Sequence, residues 1–341
     1  NKPSLKEGFF INGHHNNAGK FYISGINSNG SEKFRLALPE MPHGFAPHPN
    51  NDLLVILPGL TGTKLNVINS KTAKKVAETR IRKDRHFNGH AVFSPDGKWL
   101  FTTENIIDSS EGVIGVYETK NFSFVRELPA YGLGPHGIDI LSDGTTLVIA
   151  SGGLRTRPDS GKYYFDLNSM RSSVNYIDAN SGKLLNRIDM PVHRLSIRQA
   201  IVFDNDKTLV VCQYKGRREM PYLVGIQQGG GAIEMLPIDE DSLWLMNGYV
   251  GHVTIAGNIA AVSSPRGKGM GFWDLKQKTF MGSVKINDVS GVQPIKGYND
   301  FIASANTGEL YHINAKKLTA TLLNNMGDDV KWTNHMIKIA T

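Results

Sequence analysis

The sequence predicts an all-β fold, a seven-bladed β-propeller of four-stranded blades closed by strands from both chain ends, and three observations carry that prediction. The 341 residues hold 36 Gly and 15 Pro, so turn formers punctuate the chain at short intervals. Between them lie short apolar, β-branched runs rather than a helical periodicity. One order of strand, polar turn and strand recurs every 40 to 62 residues, the length of a four-stranded blade.

Taken in order, the N-terminal strands Gly8–Asn12, Lys20–Ser24 and Glu32–Ala37 make three of a blade's four. The chain's last strand, Met336–Ala340, supplies the fourth, which leaves no free sheet edge. First strands of successive copies begin at His43, His90, His136, Arg198, His252, Val292 and His335. The segments His90–Glu104, His136–Ala150 and Arg198–Cys212 turn at Asp96-Gly97, Asp143-Gly144 and Asn205-Asp206, which supply the left-handed angles of tight hairpins. Outer strands follow in Leu65–Thr72, Gly115–Lys120, Ser173–Ile188, Gly271–Lys276 and Leu310–Lys316. The longest interval holds an insertion, Arg155–Met170, rich in polar and aromatic residues. The expectation is one domain over residues 1–341.

Composition removes several function classes. A single cysteine excludes a disulfide scaffold and any multi-cysteine zinc or iron–sulfur site. No apolar run approaches the length of a membrane span. The net charge of +7 is scattered over turns and strand ends, not gathered on one face, which argues against nucleic acid as a partner. No Ser-His-Asp or paired-carboxylate arrangement stands out.

The histidines are the strongest functional signal. Five of the seven strand-start positions, His43, His90, His136, His252 and His335, are histidine, far more than 11 histidines in 341 residues would place there by chance. First strands line the channel of a propeller, so the five imidazoles are expected to converge at one end of it. Imidazole binds zinc, copper, iron and nickel, and histidine without carboxylate or thiolate suits copper or zinc better than calcium or magnesium. Arg198, in the same ring, is a poor neighbour for a bare cation and a good anchor for an anion. A metal with an anionic ligand, or a small anionic metal complex, fits both; a hydrated polar mouth that binds nothing is the alternative.

Loops on the same face add Glu104 and Asn105, Arg155, Gln213, Tyr214 and Arg266, together a hydrogen-bonding funnel for a small anion. His86 is a candidate for supporting the ligands from behind. His14 and His15 are expected to be solvated in an Asn/Gly loop, His48 to sit at a hairpin turn, and Cys212 to be core.

The segments Arg85–Gly97, Thr102–Asn105, Gly112–Tyr117, Gly134–Gly137, Leu195–Arg198, Cys212–Tyr214 and Ser264–Gly267 resemble an uncharacterised bacterial family, a domain of unknown function, over about Gly44 to Gly308. Its members carry twin-arginine export signals, are expected to be propellers, and are encoded beside imelysin-type iron-uptake proteins and a dihaem oxidoreductase-like protein. The resemblance implies a periplasmic protein of metal, chiefly iron, acquisition, with those two kinds of protein as candidate partners. It carries no catalytic residues. The start at Asn1, without Met or an apolar leader, is expected of a mature or truncated form. Two other function classes stay open: a metal-dependent redox or lyase-type enzyme, and an interaction scaffold without metal that docks its partner through the insertion.

Overall fold

The computed structural model describes residues 8–159, 161, 162, 167–217 and 219–340. Along the chain, β1 (Gly8–His15), β2 (Phe21–Ile26) and β3 (Glu32–Leu38) come first. The first blade is β4 (Pro42–Pro47), β5 (Leu53–Pro58), β6 (Lys64–Asn69) and β7 (Lys74–Arg80). The second is β8 (Arg85–Phe93), β9 (Trp99–Ile106), β10 (Glu111–Glu118) and β11 (Ser123–Leu133). The third begins with β12 (Pro135–Ile140) and β13 (Thr146–Ser151), is interrupted by the short hairpin β14 (Thr156–Arg157) and β15 (Gly161–Lys162), and ends with β16 (Ser173–Asp178) and β17 (Leu184–Asp189). The fourth is β18 (Leu195–Phe203), β19 (Lys207–Tyr214), β20 (Val224–Gln227) and β21 (Glu234–Met235).

A single helical turn, α1 (Glu240–Leu245), capped by the Asp239 carboxylate on the Ser242 amide, leads into the fifth blade. That blade is β22 (His252–Ala256), β23 (Ile259–Ser263), β24 (Gly269–Asp274) and β25 (Thr279–Lys285). The sixth is β26 (Val289–Pro294), β27 (Asp300–Ala305), β28 (Glu309–Asn314) and β29 (Thr319–Asn325). The last strand, β30 (Lys331–Ala340), pairs antiparallel with β1, so one sheet of order β3-β2-β1-β30 joins the chain ends as expected. The seven four-stranded antiparallel sheets make the all-β propeller fold that the sequence predicts.

The chain divides into two compact units. His43–Met235 holds the first four blades; Asn1–Pro42 with Leu236–Thr341 holds the fifth, the sixth and the mixed blade. Within the first unit, Val55, Leu57, Leu65 and Val67 pack with Phe87, Phe93, Leu100 and Tyr117 between the first and second blades. Phe101, Ile114 and Val116 pack with Leu147, Ile149 and Ile177 between the second and third. Within the second unit, Met270 and Phe272 meet Phe301 and Ile313, and Phe10 and Ile26 meet Ile302, Leu310, Trp332 and Met336. Each such side chain taken from water contributes about 1.5–3 kcal/mol, which is why inner strands read as continuous apolar runs.

The hairpin turns are where the sequence puts them. Gly97 and Gly144 have φ of 73° and 69°, and Asn205 and Asp206 both sit near φ 60°, a type I′ pair. Of the insertion, residues 160 and 163–166 lie outside the described residues. Its described part leans on the second blade, where Arg155 and Arg157 donate to the Ser109 and Asp108 carbonyls.

One expectation fails here. His14 is not solvated: it closes β1, is fully buried between Tyr22 and Trp332, and bonds the Ser24 hydroxyl at 2.9 Å. Burial, with Arg35 nearby, pushes its pKa down to about 4. The Asn/Gly loop starts only after His15, and strand pairing with Phe21 and Tyr22 extends β1 through both histidines.

Candidate metal centre

Three of the five histidines meet in the unit of four blades. His43 on β4, His90 on β8 and His136 on β12 place one ring nitrogen each within 4.8 Å of the others. Their ring centroids lie 5.1 Å apart for His43 and His90, 5.4 Å for His43 and His136, and 4.6 Å for His90 and His136. With metal–nitrogen bonds of about 2.0–2.1 Å, centroids bound to one ion sit about 5.2 Å apart at tetrahedral angles and about 4.5 Å at right angles. The His43–His90 and His90–His136 separations fall in that range, and the 5.4 Å between His43 and His136 lies just above it. The donor atoms need only draw in from within 4.8 Å to about 3.3 Å.

Bulges aim the His90 and His136 rings. In the second blade the pairing passes from Phe87–Glu104 to Ala91–Thr102, so Asn88, Gly89 and His90 stand against Thr103 alone and β8 carries two surplus residues. The register also slips at His136–Gly137 in β12, at Arg198 in β18, and at Thr333–His335 in β30. A surplus residue leaves the ladder and re-aims its side chain. Two glycines make the approach possible. A Cβ on Gly44 would stand 2.0 Å from the Gly89 carbonyl oxygen, and one on Gly89, at φ +99°, would stand 2.4 Å from the His43 ring.

The ring tautomers follow from the neighbours. His136 donates from Nδ1 to the Arg198 carbonyl at 2.7 Å, so its lone pair is on Nε2. Such an outer partner is what holds a ligating imidazole in one orientation. A second tie was not evident in the sequence: the buried Thr103 hydroxyl lies 3.2 Å from the His90 carbonyl and 3.1 Å from that of His136, a bifurcated bond joining two ligand-bearing strands. The sequence signal was there, a hydroxyl on the inner strand next to Thr102 and Glu104, but its partners come from other strands.

The remaining two histidines meet each other in the other unit. His252 and His335 are buried, with Nδ1 atoms 2.7 Å apart, and His252 Nε2 donates to the Val292 carbonyl at 3.1 Å. With its proton on Nε2, His252 accepts at Nδ1 from His335. Burial holds the His252 pKa down to about 4, so His252 is neutral near pH 7. Both ring nitrogens of His252 are thus engaged within the protein.

The other candidates scatter. Arg198 is buried and lines a small cavity together with His136. Gln213 is buried and pairs in register with Ser196, and half-buried Tyr214 packs over Gly216. Arg155 is exposed on the insertion, and Arg266 is exposed over the Tyr249 ring in the other unit. Asn105 is fully buried, with neither amide atom hydrogen-bonded among the described residues. His86 is buried and bonded to the Phe87 and Thr156 carbonyls, outside the group of three. Cys212 is core, and burial pushes its thiol pKa up.

Glu104 faces the interior of its own blade. Its Oε1 accepts from the Thr102 and Tyr117 hydroxyls at 2.7 and 2.8 Å, with the Arg82 guanidinium 3.9 Å from Oε2. Burial outweighs those partners and raises its pKa to about 7. At the start of β8, Arg85 joins Arg82 on the Glu127 carboxylate.

A family model described as "Protein of unknown function (DUF1513)" matches residues 36–339. Among curated proteins, none matches the chain by sequence. Of solved structures, Kuenenia stuttgartiensis hydrazine synthase is similar with a TM-score of 0.63 at 16% identity, over 91% of this chain and 93% of that one. A chain of a mitotic checkpoint complex is similar with a TM-score of 0.63 at 9% identity, over 87% and 83%. At these identities the likeness is one of fold alone. Among the described residues no helix is long and apolar enough to cross a membrane.

Proposed function

We propose that this chain, which belongs to the DUF1513 family, binds a transition-metal ion through His43, His90 and His136. The observation that carries the reading is the convergence of three imidazoles from three consecutive blades at separations close to those of rings on one ion. Polar side chains that only line a wet opening have no reason to adopt it. The donor set holds neither carboxylate nor thiolate, which favours iron, copper or zinc over calcium or magnesium.

In this reading the protein's own groups do three things. The Arg198 carbonyl fixes the His136 tautomer, the Thr103 hydroxyl ties the His90 and His136 strands, and Gly44 and Gly89 let the first two strands close up. A place in periplasmic iron acquisition, with imelysin-type or dihaem partners, is supported by the sequence resemblance. The test is metal analysis of protein purified without a polyhistidine tag. About one ion per chain is expected, lost in His90→Ala and His136→Ala; absence of metal after exposure to iron, copper and zinc refutes the proposal.

Three protein ligands also leave coordination positions open, as in catalytic metal sites, and this favours metal-dependent catalysis as the second reading. Turnover that follows metal occupancy separates it from binding alone.

A further inference from the structure

Beside the group of three lies a cavity that metal binding alone does not explain. It has about 10 Å³ open to the centre of a water molecule, room for one water-sized ligand. Its wall includes Asn88, His136, Thr156 and Arg198, with Leu60 and Leu154 as the apolar part. His136 belongs to both, so the cavity adjoins the group of three through that ring.

Asn88 is the informative residue. It is the first of the three β8 residues in the bulge, two positions before His90. It is 3% exposed, yet neither its amide nitrogen nor its amide oxygen has a hydrogen-bond partner among the described residues. Leaving such a buried group unsatisfied costs about 1–3 kcal/mol per atom, so a folded chain keeps it where something else completes it. A leucine or alanine would serve packing better. The positive charge on the same wall, the buried Arg198 guanidinium, sets the sign of the occupant.

We infer that this cavity holds a single-atom-sized anionic ligand, of the hydroxide or halide class, between the Asn88 amide and the His136 side of the histidine group. The inference rests on the metal reading above and adds to it the identity of the group that fills an open coordination position. Asn88 donates its amide hydrogens to that ligand, the Arg198 charge favours the anionic form over neutral water, and Leu60 and Leu154 with the glycine-lined wall limit its size.

The experiment uses the full chain loaded with Cu(II) and titrated with fluoride, followed by EPR, where ligation by fluoride adds a splitting to the copper signal. Fluoride is expected to bind, while acetate, too large for the cavity, changes the spectrum only at concentrations at least tenfold higher. Asn88→Asp, which sets a negative charge where the amide donated, and Asn88→Ala, which removes the donor, are each expected to weaken fluoride by tenfold or more. Copper uptake by each variant is confirmed from its fluoride-free spectrum. The size test on the unaltered protein stands even where a variant fails to fold. Fluoride and acetate binding alike, fluoride binding unchanged in a folded Asn88 variant, or no fluoride binding to the loaded protein (water only) overturns this inference and leaves the metal site standing. Failure to take up copper, iron or zinc overturns both.

Discussion

Replacing Glu104 by glutamine should change how stability depends on pH, with a size that follows from where the carboxyl lies. Glu104 is fully buried, accepts from the Thr102 and Tyr117 hydroxyls through one oxygen, and has only a 3.9 Å approach of Arg82 at the other. Burial dominates and lifts its pKa from 4.5 to about 7. Between those values the folded protein holds a proton that the unfolded chain has released. Its stability therefore falls as pH rises from 4.5 to 7 and is flat in this contribution above 7. At about 1.36 kcal/mol per unit, the loss between pH 5 and pH 8 is about 2–3 kcal/mol. Glutamine keeps the shape and the oxygen that Thr102 and Tyr117 bond, but it does not titrate. Urea unfolding of both proteins at pH 5 and pH 8 reads the difference. The original should lose about 2–3 kcal/mol more than Glu104→Gln across that interval. Equal losses would refute the claim that the carboxyl is held neutral inside the second blade.

Three further outcomes are expected. Gly89→Ala puts a methyl at φ +99° and 2.4 Å from the His43 ring, so it should cost about 2–4 kcal/mol by thermal or urea unfolding and weaken metal binding by displacing His43. Thr103→Val removes the hydroxyl shared by the His90 and His136 carbonyls; a loss of about 10- to 100-fold in metal affinity by competitive chelator titration is expected, and unchanged affinity would show the tie to be idle. His252 has its pKa lowered to about 4, so the stability its neutral form supports is complete above pH 6.5 and is lost as pH falls toward 4. His252→Gln should flatten that acid limb in pH-dependent unfolding while leaving metal stoichiometry unchanged.

Blade count, hairpin turns and the joined chain ends were legible because each depends on local chemistry: Asp-Gly and Asn-Asp pairs set backbone angles, and inner strands repeat an apolar run. The histidine spacing was legible for the same reason, since His43, His90 and His136 hold one position in the repeat. The bulges were not, because a slip such as Phe87–Glu104 to Ala91–Thr102 exists only between paired strands. They account for the unequal distances from strand start to hairpin in the copies at His90 and His136. Glu104 reads as a loop carboxylate by position, yet β9 continues through it to Ile106 and carries it inside the blade. His252 and His335 read as two more ligands, and only their mutual approach at 2.7 Å reveals a hydrogen-bonded couple.

The most direct test of the central claim is an anomalous difference map from crystals of the metal-loaded, untagged protein. The account predicts one dominant peak about 2.0–2.2 Å from Nε2 of His136 and from one ring nitrogen each of His43 and His90. A map with no peak among those three rings, or with its dominant peak at His252 and His335 or on surface carboxylates, would contradict it.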